Sequence, residues 1–199
     1  LRMLNGSHSF LAYLGYLAGY QHINDCMEDS HYRAAAHALM LNEQAPTLKV
    51  KGVDLARYAD LLIARYSNPA LRHRTWQIAM DGSQKLPQRV LDSVRWHRAH
   101  QRSFPLLALG IAGWMRYVGG VDEQGTAIDV CDPLLSAIQE AVKSSAEGES
   151  RVNALLGIEA IFGNELPLDG VFIDAVMSAY LTLLEKGAKA TVAQYAAAI

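Results

Sequence analysis

The chain has 199 residues, of which 51% are hydrophobic and 19% are charged, and its formal net charge is −2 at pH 7. This composition is typical of a folded globular domain of moderate size and excludes intrinsic disorder. A net charge close to zero gives no electrostatic basis for binding nucleic acid or an anionic membrane, so neither is expected as a partner.

Helical periodicity starts at the beginning of the chain. Apolar residues recur at spacings of three and four in HSFLAYLGYLAGY, which predicts a buried helix face, and SHYRAAAHALMLNEQ predicts a second helix that Pro46 ends. VDLARYADLLIARY predicts a third helix, which stops at the turn signal Asn68-Pro69. Two more helices are expected on either side of DGSQKLPQR, the second of them from about Gln88 to Gln101.

The second half of the chain continues the pattern. SFPLLALGIAGWMRYVGG predicts a buried helix with Ser103 as its cap, Pro105 in its first turn and Gly119-Gly120 at its end. A helix is also predicted in each of CDPLLSAIQEAVKSS, ESRVNALLGI, LDGVFIDAVMSAYLTLLEKG and TVAQYAAAI. No alternating apolar run bounded by turn residues predicts a strand. The predicted fold class is all-α, a single domain over residues 1–199 with roughly ten helices.

Cysteine usage and hydropathy indicate the compartment. Cys26 and Cys131 lack metal-ligand spacing and are expected to be buried free thiols in a reducing environment. The longest apolar run, FPLLALGIAGWM, is shorter than the roughly 20 residues that a membrane span requires. No secretory signal is visible at Leu1. We therefore expect a cytoplasmic protein.

Asn5 and His8, in LNGSHSF, are the first residues that could carry chemistry. They stand at positions i and i+3, so on a helix they share one face. An amide that donates to a carbonyl oxygen beside an imidazole suits a reacting ketone or alcohol. The alternative is that Asn5 caps the helix and His8 is a packed histidine.

The segment RHRTWQIAMDGSQKLPQR holds the second candidate. Its cations surround a DGS turn and suit a substrate carboxylate or phosphate; they are Arg72, His73, Arg74, Lys85 and Arg89. The alternative is a solvated basic surface patch.

Three stretches carry a resemblance to a known family. LNGSHSFLAYLGYLAG, LNEQAP and IAMDGSQKLP together resemble the C-terminal half of the long-chain mannitol dehydrogenase family, over essentially the whole chain. That family's active-site signature is a lysine, four residues, an asparagine, two residues and a histidine. Asn5 and His8 match its last two members, and the lysine would fall immediately before Leu1. The chain is therefore expected to be the back half of a dehydrogenase, inactive by itself.

The resemblance implies a fold similar to the C-terminal domain of 6-phosphogluconate dehydrogenase. It also implies an N-terminal Rossmann-like domain that binds NAD as the cofactor, and no catalytic metal. In such an enzyme the upstream lysine is the general acid/base, Asn5 polarises the substrate carbonyl, and His8 orients the substrate oxygen. Lys85 falls where the family places a substrate-contacting lysine. Polyol-type members place an arginine eight residues earlier, where this chain has Gln77.

Gln77, in place of that arginine, argues against a simple polyol substrate. HRTWQIAMDGSQKLPQR looks more like the hexuronate-reducing branch, which implies an NAD-dependent enzyme that interconverts D-fructuronate and D-mannonate. Such a sugar acid carries a carboxylate, and Arg74 or Lys85 is expected to bind it. The expected partners are this small-molecule sugar acid, or a polyol, and the chain's own N-terminal domain.

Three alternatives remain open at this point. The first is a tagaturonate reductase, and the second is a mannitol or arabinitol dehydrogenase of the same family. The third is a helical interaction module with no catalytic role, in which Asn5, His8 and Lys85 would not meet at one cleft.

Overall fold

Twelve α-helices and short turns make up the fold, and no β-sheet forms, which confirms the all-α class. The computed structural model describes residues 1–199. The α-helices are α1 (Arg2–Leu17), α2 (Ile23–Glu28), α3 (Ser30–Ala38), α4 (Leu55–Tyr66), α5 (Thr75–Ile78), α6 (Gly82–Leu86), α7 (Asp92–Ala99), α8 (Pro105–Val118), α9 (Leu135–Lys143), α10 (Glu149–Leu156), α11 (Glu159–Phe162) and α12 (Gly170–Ala197).

Helix α8 lies at the centre of the main core, between α1 and α12. Twelve of its 14 residues are buried, as expected for a helix that is apolar on nearly all sides. Gly113 lets α1 approach closely, since a Cβ there would lie 2.9 Å from Leu14 Cδ2. This packing fixes α1, the helix that carries Asn5 and His8. Cys26 is buried, whereas Cys131 is only partly buried, and both are free thiols.

Two π-helical turns, Leu39–Gln44 and Pro87–Leu91, interrupt regular α-helix. The second joins α6 to α7, so residues 82–99 form one continuous helical run. Pro87 has no N–H group to give to the α-helical ladder, and a wider turn accommodates it. The expectation that DGSQKLPQR separates two helices was therefore wrong, because the non-helical turn ends at Asp81.

The two ends of α8 lie where the sequence predicted them, but the predicted cap at its start is wrong. Pro105 begins the helix, and the helix stops before Gly119-Gly120 as expected. Ser103 makes no capping bond, so that part of the prediction was wrong. The carboxylate of Glu43 caps the helix instead, accepting from the backbone N–H groups of Leu106 and Leu107 at 2.9 Å each.

Helix α12 consists of two helical segments that meet at Gly187, where φ is 80°. The sequence predicted two helices here, and the break between them is confirmed. The Glu123 carboxylate accepts from the Ala188 N–H and caps the second segment. Although α12 spans 28 residues, neither it nor any other helix combines the length and the apolar character needed to cross a bilayer.

Candidate functional site

The first turns of α1 place Asn5 at a cleft of about 270 Å³. Its side-chain amide makes no hydrogen bond within the chain and is free for a ligand, whereas its backbone oxygen accepts from Arg89 Nη1 at 3.4 Å. Gly6, the next residue, leaves room for the buried Gln44 amide, because a Cβ there would lie 1.7 Å from Gln44 Nε2. That amide donates to the backbone oxygens of Arg2 at 3.2 Å and Arg89 at 3.4 Å. Gln44 therefore ties the start of α1 to the π-helical turn 87–91.

His8 lies one helical turn after Asn5 and is held by aromatic contacts. Its ring stacks on Tyr66 with a centroid distance of 5.3 Å and an interplanar angle of 2°. His73 meets the same ring edge-on at 5.8 Å. Tyr66 is itself fixed, since its hydroxyl donates to the Leu4 backbone oxygen at 2.8 Å. Neither ring nitrogen of His8 bonds to a protein group.

The environment of His8 disfavours its charged form. Burial is the largest cause, and the pKa falls from 6.5 to about 4 with further contributions, in decreasing order, from the side chains of His73, Arg89, Lys85 and Arg65. His8 is therefore a neutral imidazole near pH 7, with one nitrogen that donates and one that accepts.

The start of α6 is anchored by close packing and by a remote carboxylate. Asp81 adopts a left-handed conformation with φ 60°. Gly82 then packs directly on Trp114 and Tyr13, since a Cβ would lie 2.5 Å from Trp114 Nε1. The Asp132 carboxylate accepts from both the backbone N–H and the hydroxyl of Ser83. These contacts hold in place a helix of only five residues.

Lys85 projects from this anchored helix and lines the same cleft as Asn5. Its Nζ donates to the Ile78 backbone oxygen at 2.9 Å, which leaves further N–H donors for a ligand. Burial lowers the pKa of Lys85, and the neighbouring Arg89 guanidinium lowers it further against a smaller opposing effect of Asp81.

The lining of this cleft is cationic and amidic. Its residues comprise three cations, three amides and one apolar residue, and no carboxylate: Arg2, Lys85, Arg89, Asn5, Gln84, Gln88 and Leu1. The chain as a whole has a net charge of −2, so positive charge is concentrated locally here. Such a lining favours an anionic ligand that also carries hydroxyl groups.

Two predicted site residues lie elsewhere. The Arg74 guanidinium sits 5.2 Å above the ring centroid of Trp76 and lines a separate cleft of about 500 Å³ beside Tyr16 and Asp129. Gln77 is exposed on α5 and lines neither this cleft nor the one at Asn5. The structure thus brings Asn5 and Lys85 together at one cleft, with His8 one helical turn beyond Asn5 but not in the lining, and leaves Arg74 and Gln77 outside.

Arg89 lines the cleft, although the sequence prediction singled out only Arg74 and Lys85 among the cations as substrate contacts. Arg89 was included in the basic cluster. Because Pro87 was predicted to lie in a turn, Lys85 and Arg89 were not expected to share one continuous helical run. The spacing of four residues between Lys85 and Arg89 was the signal in the sequence, because it places both side chains on one face of a helix.

The largest cleft, about 640 Å³, lies between the start of α8 and α12. Its one buried carboxylate, Glu43, is already bonded to the backbone of α8. No group of three or more His, Cys, Asp and Glu side chains is arranged to hold a metal ion. The Asn5 cleft, by contrast, holds two of the predicted site residues, Asn5 and Lys85.

Comparison with known proteins places these features in context. A family model, the mannitol dehydrogenase C-terminal domain, matches residues 1–184. The Escherichia coli (strain K12) oxidoreductase YdfI is 75% identical over 195 residues, which are 98% of this chain and 40% of that protein. The D-mannonate oxidoreductase of the same organism is 60% identical over 194 residues, 97% of this chain and 40% of that protein.

A solved structure gives the same picture of the fold. Pseudomonas fluorescens mannitol 2-dehydrogenase, in a ternary complex with NAD and D-mannitol, matches with a TM-score of 0.90 and 33% identity. The match covers 97% of this chain and 39% of the other. The chain thus spans about 40% of the length of the curated relatives it matches.

Proposed function

The chain belongs to the mannitol dehydrogenase family, as its C-terminal domain, and from this we propose that it is the substrate-binding part of an NAD-dependent fructuronate reductase. The intact enzyme would interconvert D-fructuronate and D-mannonate. The proposal depends chiefly on one observation, the cleft at Asn5 with three cations and no carboxylate. The 60% identity to D-mannonate oxidoreductase supports the same branch of the family.

The charge of the cleft bears on the choice between a sugar acid and a polyol. D-Fructuronate and D-fructose are both ketoses, and they differ in bearing a carboxylate or a hydroxymethyl group at one end. A hydroxymethyl group gains little from neighbouring cations, whereas a carboxylate forms charge-assisted hydrogen bonds with them. Lysine and arginine beside each other, without an acidic partner in the lining, therefore favour the sugar acid.

The free polar groups suit the reacting end of the substrate. The Asn5 amide is placed to donate to the ketone oxygen and to stabilise the negative charge that develops there. Neutral His8 offers a donor and an acceptor to the same oxygen or to an adjacent hydroxyl. Lys85 keeps N–H donors for a further hydroxyl group.

The cofactor belongs to the part of the enzyme upstream of these residues. No strand followed by a glycine-rich loop and a helix occurs in this chain, so it lacks the fingerprint that binds a dinucleotide pyrophosphate. When bound, the nicotinamide supplies or accepts the hydride. The residues described here bind and orient the substrate, and by family resemblance a lysine before Leu1 moves the proton.

The test uses the parent chain with its upstream region. NADH oxidation is followed with D-fructuronate, D-tagaturonate and D-fructose, for the wild type and for Asn5→Ala. We expect fast turnover with fructuronate and a loss of about 100-fold or more in kcat in the variant, as for removal of one oxyanion donor. Asn164→Ala, which removes an exposed loop amide, is the matched control and should leave the rate unchanged.

The outcomes separate the alternatives. A preference for fructose would assign the chain to the polyol branch. A preference for tagaturonate would keep the sugar-acid class and change the isomer. Absence of turnover with all three, in a folded holoenzyme, would leave a helical module without this activity.

A further inference from the structure

Arg89 is a half-buried cation whose donors are largely unused. Its Nη1 donates to Ser9 Oγ at 3.2 Å and to the Asn5 backbone oxygen at 3.4 Å, both neutral acceptors at long distance. Its Nε and Nη2 groups bond to nothing in the chain, and it forms no ion pair. By contrast Arg98, also half-buried, pairs with Asp169 at 2.7 Å. Arg89 lines the cleft, so its unused donors are available to a ligand bound there.

The pairing of Arg89 with Lys85 makes the empty cleft electrostatically unfavourable. Burial lowers the pKa of Arg89, and Arg89 in turn lowers the pKa of Lys85. Two partly desolvated cations that repel each other are stabilised by an anion placed between them and the solvent. The site therefore gains more from an anionic ligand than from a neutral one.

The backbone around Arg89 fixes its side chain relative to Asn5. Gln44 binds the Arg89 backbone oxygen from one side, and Arg89 Nη1 binds the Asn5 backbone oxygen on the other. The unused Nε and Nη2 donors form the planar fork that takes a carboxylate with two parallel hydrogen bonds. A ligand whose ketone lies at the Asn5 amide can therefore extend its carboxylate end toward this fork.

We propose that Arg89 binds the substrate carboxylate and so determines the preference for a sugar acid over the corresponding neutral ketose. This rests on the proposed function, and it names Arg89 in place of the two cations that the sequence suggested. Arg74 lies at another cleft, and Lys85 already gives one donor to Ile78. Arg89 is a specificity residue in this view, acting on the end of the substrate that does not react.

The experiment compares two substrates that differ only at the carboxylate. In the full-length enzyme kcat and KM are measured with D-fructuronate and D-fructose for wild type, Arg89→Gln and Arg89→Lys. We expect Arg89→Gln to lower kcat/KM for fructuronate by about 10- to 100-fold, mainly through KM, as for loss of charged hydrogen bonds. The value for fructose should change by less than about threefold. Arg57→Gln, an exposed change of the same charge on α4, should alter neither substrate.

The lysine variant keeps the test decisive if the glutamine variant fails to fold, as judged by thermal melting. Lysine retains the charge without the fork, so KM for fructuronate should rise several-fold while fructose kinetics stay constant. An equal loss on both substrates would overturn the proposal, because Arg89 would then only support Asn5. Unchanged kinetics on both would overturn it as well.

Failure of the proposed function is visible in the wild type alone. A wild-type preference for fructose would overturn both proposals together. If tagaturonate is the better acid, the same variants are compared on tagaturonate and tagatose, and a selective loss on the acid supports the assignment to Arg89.

Discussion

His8 is kept neutral by what surrounds it, since no protein group bonds to its ring. Burial and the side chains of four basic residues nearby lower its pKa to about 4. In the unfolded chain the pKa is about 6.5. Because the folded pKa is the lower one, the contribution of His8 to stability is fully present above pH 6.5 and is lost as the pH falls toward 4.

A pH titration by NMR tests this directly. In wild type the ring resonances of His8 should move with a midpoint near pH 4. His73→Asn removes the neighbour with the largest electrostatic effect on His8, so the midpoint should shift upward in that variant. A wild-type midpoint near the ordinary histidine value would mean that the ring is open to solvent, against the stacked arrangement on Tyr66.

Gly6 is a residue whose tolerance to substitution depends on a neighbouring side chain. Replacing glycine by alanine inside a helix usually stabilises it by roughly 0.5–1 kcal/mol. Here the new Cβ would lie 1.7 Å from Gln44 Nε2 and 3.0 Å from the Arg89 backbone oxygen. Gly6→Ala should therefore destabilise the protein by roughly 1–3 kcal/mol, the usual effect of overpacking.

Urea denaturation measures the effect. Gly170→Ala in the first turn of α12 is the control, because a Cβ there meets nothing within 4 Å. It should leave the free energy of unfolding unchanged or slightly higher. If Gly6→Ala also left the free energy of unfolding unchanged, the Gln44 bridge between α1 and Arg89 would not exist as described.

At the scale of the elements, α8 shows how a remote side chain can replace a local cap. Glu43 lies 63 positions from Leu106, the first N–H that it accepts. Removing its carboxylate leaves two buried N–H groups without acceptors. We expect Glu43→Ala to lower the free energy of unfolding by roughly 2–4 kcal/mol.

The matched control is Glu140→Ala, an exposed change on α9, which should cost less than about 0.5 kcal/mol. Both variants are compared by denaturant unfolding at constant pH. Equal stabilities for the two would show that the start of α8 is satisfied by water rather than by Glu43.

The elements also show what the sequence could and could not indicate. Helical periodicity predicted the all-α fold, and the spacing of Asn5 and His8 predicted a shared helix, because both signals are local. The cap from Glu43 and the pairing of Lys85 with Arg89 depend on tertiary contacts or on a π-helical turn. Arg74 carried the same charge as Arg89 in the sequence, and only packing separates their clefts.

At the scale of the whole molecule, the proposed function divides substrate binding and redox chemistry between this chain and an upstream cofactor domain. This chain supplies a cationic cleft and lacks a dinucleotide fingerprint. The purified 199-residue chain should therefore fail to oxidise NADH with any hexuronate, even when it is fully folded. Absorbance of NADH at substrate saturation provides the measurement, and any enzyme-dependent turnover would contradict the division.

The π-helical turn Pro87–Leu91 makes this part of the chain intolerant to changes of length. A π-helical turn arises from one residue inserted into an α-helix. Deleting one residue from it would restore a regular helix over the 82–99 run and, at 3.6 residues per turn, rotate Lys85 by about 100° relative to α7. The exposed 49–53 loop has no such phase to keep. Insertions and deletions during evolution can therefore accumulate in that loop, whereas within Pro87–Leu91 a single codon gained or lost would turn one of the cleft's cations away from the cleft.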